Sequence, residues 1–316
     1  FQLIESEMSS LESNACAGGA KILGANCHGK GRVRMVKVHR NGAEHSLQEI
    51  TAQVLVSGPA CVDAAYEQGD NSGVLPTDTV KNTVYALGRK HDFASIEEFA
   101  LILAHHFLER HSETMTSCEI TIKEEEWLKM RVPDRSGRIC DHKHSFQRGA
   151  NPRYCSVSAH ANSYTLRSGF REQQILKTTQ SGFEGFARDE LTTLGEARDR
   201  LVGTKLSAEW TYTSTTGGNF AQMSKDIRAT LLSAFAGPAD VGVYSPSVQA
   251  TMHDMAAAVL SKFQNVARID LDMPNVHNLP VDLSRFGLTN NNDVLMPVDE
   301  PHGMIRASFE QPRSRL

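Results

Sequence analysis

Alternation with a period of two marks the strands of this chain. Over residues 118–123, Cys118, Ile120 and Ile122 point one way while Glu119, Thr121 and Lys123 point the other. Over 206–212, Leu206, Ala208, Trp210 and Tyr212 oppose Ser207, Glu209 and Thr211, and over 268–273, Ile269, Leu271 and Met273 oppose Arg268, Asp270 and Asp272. One face is apolar and the other wet, the pattern of an antiparallel sheet covered on one side. Two earlier strands are expected over 32–40 and 46–57. The first changes phase near Met35, where a bulge is expected. Helical stripes alternate with these segments: Ile96, Phe99, Leu103 and Phe107; Phe220, Met223, Ile227, Leu231 and Phe235; Val248, Met252, Met255, Val259 and Phe263. Gly237-Pro238 stops the second stripe and Ser247 can cap the third.

The order strand, strand, helices, strand, strand runs twice, about 30–148 and 149–309, with a turn-rich seam at Gly149-Ala150-Asn151-Pro152. An acidic, Thr-rich phrase is expected before the long helix of each half, Pro76-Thr77-Asp78-Thr79 and Asp189-Glu190-Leu191-Thr192-Thr193. The fold class is therefore α+β: two units with helices on one sheet face.

Composition narrows the picture little. With 316 residues, 40% hydrophobic and 22% charged, the chain reads as a soluble globular protein of one large domain or two ordinary ones. A net charge of −4 gives no global attraction to nucleic acid or anionic membrane, and no apolar run approaches a membrane span. The six cysteines (Cys16, Cys27, Cys61, Cys118, Cys140, Cys155) form no CxxC pair and read as reduced thiols of an intracellular protein. Residues 1–28 carry Glu5, Glu7 and Glu12, which argue against a transit peptide, and read as a flexible arm. The last three residues, Ser314-Arg315-Leu316, resemble the Ser-Lys-Leu peroxisomal address.

The segment 176–186, LKTTQSGFEGF, follows neither repeat. Gly182 and Gly185 break regular elements, yet Phe183 and Phe186 sit among them. A ring on such a turn is a core plug or a platform offered to a flat ligand. This phrase, with Pro76–Tyr85, Thr192-Thr193-Leu194, Asp199-Arg200, Tyr244–Gln249 and Met273-Pro274-Asn275-Val276-His277, closely resembles the urate oxidase (uricase) family in order and separation over residues 29–316.

The resemblance implies two tandem T-fold (tunnelling-fold) units, 29–149 and 150–310, followed by a tail at 311–316. It implies assembly into a barrel, as a homotetramer with sites at subunit interfaces. The implied reaction is oxidation of urate by O2 and water to 5-hydroxyisourate and hydrogen peroxide, without metal or organic cofactor. Phe183 would stack on the purine. Arg200 would fork onto a carbonyl and its neighbouring ring nitrogen, and Gln249 would take the opposite edge. The N–H of Val248 would add a donor at a helix start, Leu194 an apolar wall, and the N–H of Asp78 a further grip. Asn275, with Thr77, would face the O2 or water site. Lys30, Thr77 and His277 would form the proton relay. Localisation would be peroxisomal, with the import receptor as partner through Ser314, Arg315 and Leu316. His28 stands before Gly29-Lys30 where animal members commonly carry Tyr; plant-like members are closer.

Each residue has an ordinary alternative when taken alone. Arg200 would pair with Asp199 or Glu196, Gln249 and Thr77 would cap helices, Lys30 would be a solvated charge and His277 a strand histidine. Two rival functions are a zinc-dependent T-fold enzyme of the pterin or cyclohydrolase type and an inactive peroxisomal binding protein. For the first, His142-Lys143-His144 would put two imidazoles on one strand face, without an evident third ligand, while His105-His106 lie on a helix.

Overall fold

The structure, a computed structural model, describes residues 23–312 except 59 and 162, with the side chains of 60, 61 and 299 also outside the description. Most of the N-terminal arm, Cys16, the Cys61 side chain and the tripeptide Ser314-Arg315-Leu316 therefore lie outside the described residues.

Strands β1 (His28–Asn41) and β2 (Glu44–Ser57) form a hairpin, followed by α1 (Ala60–Glu67), α2 (Thr77–Lys90) and α3 (Ile96–Arg110). A second hairpin has interrupted arms: β3 (Ser117–Glu125) and β4 (Trp127–Pro133) go out, β5 (Ile139–Arg148) and β6 (Arg153–His160) return. The pattern then starts over. Strands β7 (Ser163–Lys177) and β8 (Val202–Tyr212) pair, helices α4 (Phe220–Ala236) and α5 (Val248–Lys262) follow, and another interrupted hairpin closes the chain. Its arms are β9 (Val266–Asp272) with β10 (Asn275–Pro280), and β11 (Leu295–Gly303) with β12 (Arg306–Glu310). The segment 149–152 falls inside the returning arm of the first such hairpin, one strand before the repeat begins again at β7.

All ladders are antiparallel, in the order β1-β2-β3-β6-β7-β8, with β9 and then β12, or β10 and then β11, beyond β8. The alternation explains why the helices lie on one face. Cys118, Ile120, Ile122, Leu206, Ala208, Trp210, Ile269 and Leu271 are all buried. They meet the expected helical stripes, where Phe99, Leu103, Phe107, Ile227, Leu231, Met252, Met255 and Val259 are fully enclosed. Ser247 caps α5 as expected, its hydroxyl accepting from Ala250 N, and Gly237 ends α4 at φ 75°.

Two local expectations are corrected. The register runs unbroken through Met35, opposite Ile50; the bulge lies between Lys30 and Val33, where Arg32 has φ 58°. The apparent phase change arises because Val33 and Met35 face the core while Val36 points to the opposite, uncovered face and stands in solvent. The two acidic Thr phrases are also not equivalent: Thr77 opens α2, whereas 189–193 lies in the loop before β8. Cys27, Cys118, Cys140 and Cys155 are free thiols, and burial pushes Cys118 up to about 12.

Candidate active site

The 176–186 phrase is pinned from three sides. Gly182 N donates to Ser245 O at 2.8 Å and Ser245 N to Gln180 O at 2.9 Å, so the segment runs beside the start of α5. Phe183 exchanges backbone bonds with Ala197, and Arg200 N donates to Ser181 O at 2.7 Å. Asp199 accepts from the Thr179 hydroxyl at 2.7 Å and from Gln180 N at 2.8 Å. Gly182 has no room for a side chain, since a Cβ would lie 2.1 Å from the Tyr244 hydroxyl. Gly185 takes φ 67°, which favours glycine.

Phe183 is half-buried, not a core plug. It stacks on Phe186 at 4.9 Å and 7°, and the Arg200 guanidinium lies 5.3 Å from its ring centre. Arg200 makes no ion pair among the described residues. The two carboxylates of the ordinary alternative are taken, Asp199 as above and Glu196 by Arg188 and Gly185 N. Its Nε is buried without a hydrogen-bond partner, and burial lowers its pKa from the ordinary arginine value. A desolvated, unpaired guanidinium is an unusual thing for a fold to keep.

β8 explains what Arg200 faces. Its distal half pairs with β9 up to Ser207 opposite Asp272, and its first residues pair with β10, Thr204 opposite Asn275 and Gly203 opposite Val276. Pro274, which has no N–H, interrupts what is otherwise one ladder. Asn275 and His277 are thereby carried beside the chain that has just left Arg200. Arg200, Asn275 and His277 line one cavity of ≈ 270 Å³, with Asp199, Asn278 and Asn292.

Val248 is the buried first residue of α5, and Gln249 beside it is exposed. Ser247 does the capping, so Gln249 is not the cap. Leu194 is exposed in the loop before β8, its carbonyl accepting from Arg188. Asp199, Tyr244, Asn278 and Asn292 were not singled out as site residues from sequence. The Asp199 carboxylate holds Thr179 and Gln180, twenty and nineteen residues earlier, which the Phe183–Ala197 and Arg200–Ser181 backbone bonds bring beside it, so no local pattern could reveal it.

The remaining residues lie elsewhere. Lys30 is half-buried in β1 opposite Val54. Thr77 and Asp78 occupy the exposed first turn of α2, and Thr77 is not its cap, since Pro76 holds that position. Lys81 first, with Asn82 and Lys30 adding, holds the Asp78 carboxyl below its usual range, and α2 packs against β1, the strand of Lys30. From β1 to β10 the sheet takes six steps, about 29 Å at ~4.8 Å per step. The two groups of residues stand at opposite ends of the sheet.

His142 and His144 lie on β5 with rings 4.6 Å apart and His45 beside them, while His105 and His106 lie on α3. No cluster suited to a metal ion assembles among the described residues.

The family model described as Uricase matches residues 26–158 and 166–306. The uricase of Danio rerio is 37% identical over 292 residues, covering 92% of this chain and 95% of that protein. The uricase of Arabidopsis thaliana is 36% identical over 302 residues, covering 92% and 96%. The crystal structure of uricase from Arthrobacter globiformis superposes with a TM-score of 0.85 at 35% identity, over 94% of this chain and 97% of that one. A uricase from Bacillus fastidious, at 21% identity and a TM-score of 0.76, shares the fold. The expected α+β architecture of tandem T-fold units is borne out by these likenesses and by the repeated antiparallel pattern. With a family model spanning most of its length and relatives above one-third identity, the chain belongs to the uricase family.

Proposed function

We propose that this protein is a urate oxidase that converts urate, O2 and water to 5-hydroxyisourate and hydrogen peroxide. The observation that carries the reading is Arg200: a guanidinium desolvated, unpaired among the described residues, beside the face of Phe183 and open to the cavity of Asn275 and His277. Urate is a flat anion rich in amide-like groups. Its negative charge and paired acceptors compensate a buried arginine, and its ring matches an aromatic floor. Gln249 and the Val248 N–H, at the helix start next to Phe183, serve the other edge of the purine, and Leu194 closes the side.

Oxidation needs a second proton to leave the urate monoanion before electrons pass to O2. In this reading Thr77, with Lys30 behind it, takes that proton through its hydroxyl, and His277 serves the water that adds to the ring. The Asp78 N–H holds the purine, and Asn275 with Thr77 faces the O2 or water position. Both electrons lost by urate go to O2, which leaves as peroxide with two protons, and water supplies the new hydroxyl. All these groups belong to the chain, so the reaction is assigned no cofactor.

The ~29 Å between the two ends of the sheet supports a composite site. Thr77 and Lys30 of one copy would meet Phe183 and Arg200 of another, edge to edge, in a homotetrameric barrel. Peroxisomal import through Ser314-Arg315-Leu316 belongs to the same proposal. Fusing the tripeptide to a fluorescent protein tests it: deleting Leu316 should leave the reporter cytosolic, and unchanged import would exclude this signal.

The main test is loss of urate absorbance in air with one peroxide formed per urate, in protein freed of metal by chelation. A folded assembly without turnover would favour the inactive binding protein, and activity restored only by zinc would favour the metal-dependent rival.

A further inference from the structure

One hydrogen bond joins β1 to the approach of α2. His28 Nε2 lies 3.2 Å from the carbonyl oxygen of Leu75. A carbonyl only accepts, so the ring donates from Nε2. The other ring nitrogen, Nδ1, is buried without a hydrogen-bond partner, so this is the ring's one hydrogen bond among the described residues. Leu75 leads directly to Pro76, the N-cap of α2. Helices α3, α4 and α5 are each capped by a side chain (Ser95, Asn219 and Ser247), whereas Pro76 provides none. The first turn of α2, which carries Thr77 and Asp78, thus lacks the anchor that the others have.

The strand end that supplies the bond is itself held fast. At Gly29 a Cβ would lie 1.9 Å from Val54 O, so β1 presses closely on β2 there. Lys30 follows opposite Val54, and the bulge at Arg32 then releases the register. His28 and Lys30 are two residues apart on one strand, so both side chains stand on the same face. One reaches the chain before Thr77, and the charge of the other is felt at Asp78 just after it.

We propose that His28 is a positioning residue: its bond to Leu75 O sets the start of α2, and with it the Thr77 hydroxyl, against Lys30. This rests on the reading of Lys30 and Thr77 as a proton-relay pair. His28 does not touch substrate in this role. It leaves the free N–H groups of the first turn uncapped, but it ties the chain that leads into α2 to the strand that carries Lys30. A misplacement of about 1 Å at a proton-transfer pair can cost on the order of 100-fold in rate.

Two polar variants separate positioning from mere burial. His28→Gln places its amide nitrogen near the position of Nε2, and His28→Asn stops near Nδ1. In the full-length protein, His28→Gln should keep kcat within about threefold, and His28→Asn should lower kcat roughly 10- to 100-fold with KM within about twofold. Hydrogen exchange over residues 80–83, the first amides bonded within α2, should speed up in His28→Asn and stay near wild type in His28→Gln. Equal kcat in the two variants, a change confined to KM, or unaltered exchange would overturn the proposal. So would a failure of both variants to fold, since His28 would then be a core residue. Exchange reads the tether without catalysis. Altered exchange in a wild-type background that does not oxidise urate would sink the urate reading and leave the tether standing.

Discussion

Replacing Arg200 tests the site most directly, because a site arginine and a structural arginine give opposite results. In the free protein its guanidinium is partly desolvated, lacks an ion-pair partner among the described residues, and has a buried Nε without a bond. Its removal deletes no ion pair and relieves an unfavourable burial. Arg200→Gln should therefore leave the melting temperature unchanged or slightly raised. Binding should respond strongly. Two charge-assisted hydrogen bonds to an anionic purine contribute about 1.5–3 kcal/mol each, so their loss costs about 3–6 kcal/mol. At ~1.4 kcal/mol per decade that is roughly 10²- to 10⁴-fold in affinity. Arg200→Lys keeps the charge without the planar fork and should fall in between. Calorimetric titration with a non-oxidisable urate analogue measures the affinity, and a thermal melt on the same samples measures stability. Unchanged affinity would remove Arg200 from the site. A fall of several degrees in melting temperature would make it a structural residue.

Three further outcomes are expected. Thr77→Ala should lower kcat by about 10²- to 10⁴-fold, the usual scale of a proton-transfer group, with analogue affinity within a few-fold; a pure binding defect would contradict the relay. Gly182→Ala drives a methyl into the Tyr244 hydroxyl, which donates to Arg198 O, and into Ala197 O at 3.0 Å. It should cost about 1–3 kcal/mol in chemical denaturation and weaken analogue binding, with Tyr244→Phe recovering part of the loss; a neutral Gly182→Ala would refute the tight approach. Acid should weaken the fold before carboxylates titrate. Burial first, then neighbouring positive charge, lowers the folded pKa of His106 and of His111, both at the end of α3. The unfolded chain, at about 6.5 for each, binds more protons, so stability is full above that value and declines as pH falls through it. Melting temperature should drop as pH falls below about 6.5, less so in His106→Gln, and a flat profile would exclude the linkage.

How much could be read from the chain varies with the range of the interaction. Strand faces such as Cys118-Ile120-Ile122 and stripes such as Phe99-Leu103-Phe107 were legible, because burial imposes periods of 2.0 and 3.6 on neighbouring residues. Ser247 as a cap was legible for the same local reason. The broken arms of the two long hairpins were not, since Glu126 and Pro274 interrupt ladders whose partners are distant in sequence. The apparent phase change near Met35 reflects one valine, Val36, on the uncovered face, while the bulge at Arg32 depends on pairing with β2 and leaves no mark in the local pattern.

By itself, the sequence determined the α+β class, the doubled order of elements and, through resemblance, the residues to watch. Each of these is carried by residue type and spacing along the chain. Only the tertiary structure decided that Asp199 is taken by Thr179 and Gln180, leaving Arg200 without a partner among the described residues. It alone joined Arg200 to Asn275 and His277 in one cavity and set Lys30 and Thr77 at the far end of the sheet. The physical reason is that pairing and desolvation belong to groups brought together by strand order, and strand order is set by where the whole apolar face can be buried.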